Sequence, residues 1–215
     1  MSSGSEPPLQ ECSDEQLVSA YRQDREDAFA LLVDRYRQEL FHFLMRFVGR
    51  RHPAEELFQE VFFQVHRSID KFDVTRRFKP WLFTIAANKA RDHLRRTSRR
   101  QAIPLSALAG DDQDRSVIDL LSADVPQPDE VAIRVELQEV IRQVVKSLPD
   151  HLREVLLLAY FQQLAYKEIA EVLSIPLGTV KSRLHTAVGT FAQRWKEQEA
   201  GPSPQEAPRT RQTQE

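Results

Sequence analysis

"YKEIAEVLSIPLGTVKSRLHTAVGTFAQRW" runs from Tyr166 to Trp195. Ile169, Val172 and Leu173 lie on one side of a first helix, and "SIP" at 174–176 breaks it. Pro176 and Gly178 then shape the start of a second helix. Two helices joined by so short a turn make a helix-turn-helix, and small Ala170 allows them to cross closely. Thr179, Lys181, Ser182, Arg183 and His185 fall early in the second helix, interleaved with apolar Val180 and Leu184. Polar donors at the start of such a helix are what major-groove reading requires. Arg183 suits a bidentate bond to guanine, while Thr179 and Lys181 suit phosphates. A solvated face on a core helix would carry the same residue types, so the pattern alone leaves both meanings open.

Upstream, helical periodicity continues. Val140, Ile141, Val144, Val145 and Leu148 form one face, Pro149-Asp150 breaks and restarts the chain, and Leu152, Val155, Leu156, Ala159 and Tyr160 form the next. This second helical unit spans 131–196. Before it, residues 111–130 hold seven acidic residues and one arginine, with Pro126 and Pro128. That composition predicts a flexible acidic linker over 101–130. A spacer that only keeps the chain in solution would look the same.

The first unit is expected over 13–100. Ser13 and Gln16 fit a capping box. Phe29, Val33, Tyr36, Leu40, Leu44 and Phe47 make one stripe ending at Gly49. Pro53 suits the first turn of a further helix, where Leu57, Val61, Val65 and Ile69 recur every four residues. Glu55, Glu56, Gln59 and Glu60 lie off that stripe. A polar loop, Asp70 to Lys79, interleaves Phe72 and Phe78 with Arg76 and Arg77. Aromatics and arginines stack on unstacked bases. The next stretch, "PWLFTIAANKARDHLRRTSRR" (80–100), starts apolar and ends basic, with five arginines in its last ten residues. Phe83, Ala87, Ala90 and Leu94 anchor it, and Asn88, Arg91, Asp92 and Arg95 face the other way. Arginines near a helix C-terminus complement the macrodipole, but five exceed that need, and a nucleic-acid backbone is the better partner.

The bulk numbers set limits. The chain has 215 residues, is 41% hydrophobic and 29% charged, and has a formal net charge of −2. Positive charge is therefore local. Cys12 is the only cysteine, so no disulfide framework or thiolate zinc site is expected. No apolar run is long enough for membrane insertion, and no secretory signal opens the chain, so a cytoplasmic protein is expected. The six histidines show no H-E-x-x-H, and no phosphate-binding glycine loop occurs. No catalytic residues, metal or cofactor are expected. Residues 1–12 and 197–215 are expected to be disordered tails.

Three stretches together resemble a known family: "AEELFQEVFFQVHRSIDKF", "FKPWLFTIAANKARDHLRR" and "LPDHLREVLLLAYFQQLAYKEIAEVLSIPLGTVKSRL". In this order, split by an acidic linker, they are similar to the conserved regions of bacterial RNA polymerase sigma factors. The class is the extracytoplasmic-function (ECF) type of the sigma-70 family, and the resemblance covers about Asp14 to Trp195. It implies an all-α protein of two small domains, regions 2 and 4. Its partners would be bacterial core RNA polymerase, promoter DNA and an anti-sigma factor. Glu55, Glu56, Gln59 and Glu60 match the helix that docks on the polymerase. Phe72, Arg76 and Arg77 match the segment that captures a flipped base. Asn88, Lys89, Arg91, Asp92, Arg95 and Arg96 match the helix that engages the −10 element. Thr179, Lys181, Ser182, Arg183 and His185 match the reader of the −35 element. The second unit would also sit on the polymerase flap, and the linker would occupy channels that later carry RNA. Thr186 stands where many relatives carry a basic residue, which implies one phosphate contact fewer. The alternative is a stand-alone helix-turn-helix regulator that binds duplex DNA without polymerase.

Overall fold

Helix boundaries follow the local capping chemistry. In the computed structural model, which describes residues 8–101 and 139–199, the Gln16 side chain accepts from the Ser13 N–H at 2.8 Å and Ser13 Oγ accepts from the Gln16 N–H. This is the expected capping box, and it opens α1 (Asp14–Tyr21). Helix α2 (Glu26–Val48) stops at Gly49, whose φ of 75° is left-handed. That conformation closes a helix at no steric cost only when Cβ is missing. Helix α3 (Arg51–Ser68) runs into a 3-10 turn, Ile69–Lys71, and α4 spans Phe78–Gln101. The second unit consists of helical residues 139–147 (α5), α6 (Asp150–Leu156), a π-helical turn (Leu157–Phe161), α7 (Tyr166–Leu173) and α8 (Leu177–Glu199). No strand occurs among the described residues, and the protein is all-α, with two helical domains.

The stripes read from sequence mostly face the core. Leu57, Val61, Val65 and Ile69 are all buried, as are Phe83, Ala87 and Ala90. Phe43 is the hub of the first domain. It meets Phe83 edge-on at 5.2 Å and Phe47 in a stack at 5.8 Å, so α2 and α4 are pinned ring to ring. The start of α2 departs from expectation. Ala28 and Leu32 are the fully buried residues there, while Phe29 and Val33 pack on the margin. A spacing of three and four tolerates a shift of one position, because both faces of the stripe carry apolar residues.

Two further expectations need correction. Tyr160 was expected on a buried face but is 60% exposed. The Gln162 N–H bonds the carbonyl of Leu157, five residues back. The extra residue in that turn rotates Tyr160 away from where a 3.6-residue period would place it. Within the segment expected as a tail, Leu9–Glu11 forms a 3-10 turn with Leu9 buried, since an apolar niche beside α2 takes that side chain. The expected linker lies almost wholly outside the described residues, as do 1–7 and 200–215.

The two domains share one continuous hydrophobic core. Helix α4 lies along α7, and α2 packs against α6 and the π turn. The Arg46 guanidinium sits 4.2 Å over the Phe161 ring. Arg153, buried on α6, donates to the carbonyls of Val145, Lys146 and Leu148 in its own domain and of Phe47 in the other.

Candidate nucleic-acid interface

On α3 the four residues expected to dock on polymerase lie off the buried stripe. Glu56, Gln59 and Glu60 are exposed, and Glu55 is partly covered because Arg51 donates to it at 2.7 Å. His52 lies 3.4 Å from Glu56. Sequence reasoning missed Phe63. It follows Glu60 by three positions on the same face and is 63% exposed. Its ring has the Arg67 guanidinium 5.7 Å from its centre. Its signal was present as the second of two adjacent phenylalanines, of which only Phe62 is buried.

The loop before α4 is fixed at its base. Arg22 reaches across from the end of α1 and donates to the carbonyls of Ile69 and Phe72. The Phe72 ring is only 4% exposed and packs on Phe78 and Trp81, 5.7 and 4.9 Å away. Phe72, expected at the base-capturing segment, is therefore packed into the core in this structure. Burial of the ring outweighs the pull of its charged sequence neighbours. The exposed part of the loop is Asp73 to Arg77. Thr75 bonds Asp73 through both its amide and its hydroxyl, and Arg76 lies 3.9 Å away, which hold the Asp73 carboxyl below its ordinary range. Glu15 accepts from the Phe78 N–H at 2.9 Å and so satisfies an orphan donor at the start of α4.

Along α4, Asn88, Asp92, Arg95 and Arg96 are exposed, and Lys89 and Arg91 are partly covered. Lys89 pairs with Glu60 of α3 at 3.0 Å, joining the set expected at the −10 element to the set expected at polymerase. Arg95 lies 3.8 Å from Asp92. In α8, Lys181, Ser182 and His185 are exposed, while Thr179 and Arg183 are partly covered. The turn between α7 and α8 places Ser174 at a left-handed φ of 54°. The structure brings the two sets together at one point. Glu154 of α6 lies 3.6 Å from Arg91 Nε and 3.7 Å from Arg183 Nη1. Burial pushes the Glu154 carboxyl up, and the two arginines pull it part of the way back.

Comparison with known proteins identifies these helices. The Sigma-70 region 2 family matches residues 32–100, and Sigma-70 region 4 matches 138–189. The ECF RNA polymerase sigma factor SigW of Bacillus subtilis is 34% identical over 168 residues, covering 78% of this chain and 89% of that one. The chain belongs to the ECF sigma factors. Two solved structures share the fold. One is CnrH in complex with the cytosolic domain of CnrY (TM-score 0.62, 23% identity, 88% of this chain and 99% of that one). The other is the sigma factor RpoE of Bartonella quintana with the anti-sigma factor NepR (TM-score 0.59, 20% identity, 78% and 96%). As a sigma factor, this protein is a transcription-initiation factor and not an enzyme.

Proposed function

We propose that this sigma factor docks on core RNA polymerase through the outer face of α3, engages the −10 element with α4 and the preceding loop, and reads the −35 element with the start of α8. The supporting observation is that Arg96 and Lys181 extend into solvent with no ion-pair partner among the described residues. Phe63 belongs to the docking face, flanked by Glu56, Gln59 and Glu60, as an aromatic anchor within a polar rim. Residues 13–100 and 131–196 are the two working domains, and 101–130 is the linker between them. No helix among the described residues is long and apolar enough to cross a membrane, and the polymerase places the protein in the cytoplasm. An anti-sigma factor is a further partner, as the Bartonella quintana relative is named with one.

The direct test adds purified protein to bacterial core polymerase on a genomic template and maps the transcript starts. Starts that share a −35 and −10 pair are expected. Duplex binding without polymerase, coupled with no stimulated transcription, would overturn the proposal.

Two substitutions test the separate faces. Arg183→Ala is expected to weaken −35 recognition by about 1–3 kcal/mol, the worth of a good bidentate base contact. Holoenzyme binding to promoters mutated base by base in the −35 element measures it, and an unchanged base preference would reject the assignment. Replacing Arg95 and Arg96 together by glutamine is expected to lower the salt slope of promoter binding by about two, at roughly 0.9 per phosphate contact. An unaltered slope would place these arginines away from phosphate.

A further inference from the structure

Helix α1 meets both ends of the loop that precedes α4. At its C-terminal end, Arg22 donates to the carbonyl of Ile69 through Nε at 3.2 Å and through Nη2 at 2.5 Å, and Nη2 also donates to the carbonyl of Phe72. Near its N-terminal end, Glu15 accepts from the Phe78 N–H at 2.9 Å. Bonds in which one partner is ionised are the stronger kind, and both fall on backbone groups at helix ends. Caps on α3 and on α4 could come from any neighbouring element. Here both come from one helix and close on the two roots of one loop.

That geometry sets the course of the loop. Glu15 and Arg22 stand about 10 Å apart along α1, at about 1.5 Å per residue. The chain from Phe72 to Phe78 could span about 20 Å when extended, at about 3.3 Å per residue. Tying both roots to so short a strut makes the chain between them arch outward. Asp73 to Arg77 are all exposed, and the Arg76 N–H on the Asp73 carbonyl and Thr75 on the Asp73 carboxyl close the arch from within. The strut is itself held. Leu17 and Val18 are fully buried, and Asp14 accepts from Arg35 and Tyr36 of α2.

We propose that Arg22 and Glu15 are positioning residues for strand capture. Through them α1 sets the arch from Asp73 to Arg77, and so fixes where Arg76 and Arg77 meet the −10 strand. The proposal rests on the assignment of this loop to the −10 element made above.

The test uses core polymerase carrying the full chain with Arg22→Met, Glu15→Ala or Glu15→Gln. Methionine keeps an unbranched stem without donors, and glutamine keeps an acceptor for the Phe78 N–H. Hydrogen exchange of the peptide spanning 70–78 reads the loop. Fluorescence anisotropy reads binding to a labelled single-stranded oligonucleotide that carries the −10 element of a promoter mapped with the parent holoenzyme. Arg22→Met and Glu15→Ala are each expected to speed exchange in that peptide about tenfold. The same variants are expected to bind the oligonucleotide about tenfold more weakly, because apparent affinity scales with the fraction of loops in the competent position. Glu15→Gln is expected to match the parent in both readings. Faster exchange with unchanged oligonucleotide affinity would leave α1 as the brace of the loop and overturn the assignment of the loop to DNA. Unchanged exchange in the peptide would overturn the brace, and so would faster exchange spread evenly over residues 14–101, which marks a merely structural role. If Arg22→Met fails to fold, the comparison of Glu15→Ala with Glu15→Gln decides, and equal readings from the two would reject the proposal.

Discussion

Arg153→Ala is expected to lower the unfolding free energy by about 3–5 kcal/mol, the range for removing one partner from a buried charged network. Its guanidinium donates to four carbonyls, at 3.1 Å to Val145, 2.7 Å to Phe47, 2.6 Å to Lys146 and 2.8 Å to Leu148. Three of these belong to the end of α5 and the bend after it, where a helix leaves its last carbonyls without partners. Alanine would strand them in a site that water reaches poorly, and each stranded acceptor costs about 1–3 kcal/mol. Arg153→Lys is expected to rescue little. A lysine ammonium has three donors on a flexible stem and cannot address four acceptors as the guanidinium does. Urea unfolding followed by far-UV circular dichroism measures both variants, and a loss below about 1 kcal/mol for alanine would contradict the network's role. Because one of the four acceptors is Phe47, the same substitution also loosens the contact between domains.

Phe83→Ala is expected to cost about 3–5 kcal/mol, the usual range for emptying a fully buried aromatic site. Phe83 is wholly buried in the apolar half of α4 and meets Phe43 edge-on. Its loss opens a cavity between α2 and α4 that Leu82 and Ala86, already buried in the same core, cannot fill. The functional consequence follows from position. The first half of α4 is its anchor, and the arginines lie on the second half, so a loosened anchor misplaces Arg95 and Arg96 without touching them. Thermal melting measures the loss, and promoter opening by the holoenzyme is expected to fall with it. Phe83→Leu retains part of the apolar volume and is expected to recover much of both. A variant that melts like the parent would show that Phe83 is not a pillar of this domain.

The helices of this protein were legible because each carries its own periodic signal. Leu57, Val61, Val65 and Ile69 announce a buried face with no help from the rest of the chain, and Ser13 with Gln16 announces a helix start. Arg153 had no such signal. In "PDHLREVL" it looks like any helix-surface charge, and only the Val145, Leu148 and Phe47 carbonyls give it a buried role. The burial of Phe72 was hidden for the opposite reason. The residue sits among charged residues in a polar loop, yet Phe78 and Trp81 provide an aromatic niche that the local sequence does not reveal. Tyr160 was misplaced by a single extra residue in one helical turn. The candidate site shows the same division. Exposure of Asn88, Asp92, Arg95, Arg96, Lys181, Ser182 and His185 follows from the faces of two helices. The convergence of Arg91 and Arg183 on Glu154 follows from how the domains pack, and no spacing within either stretch encodes it.

The loop between the 3-10 turn and α4 has its root held by Arg22 and by the buried Phe72 ring, which leaves Asp73 to Arg77 as a short exposed span. Ordering a backbone costs roughly 1–2 kcal/mol per residue. For most of this loop that entropy is lost when the domain folds and not when a DNA strand arrives. A separating strand would thus meet a preorganised rim with few degrees of freedom left to freeze, and its capture can be quick even where each contact is weak.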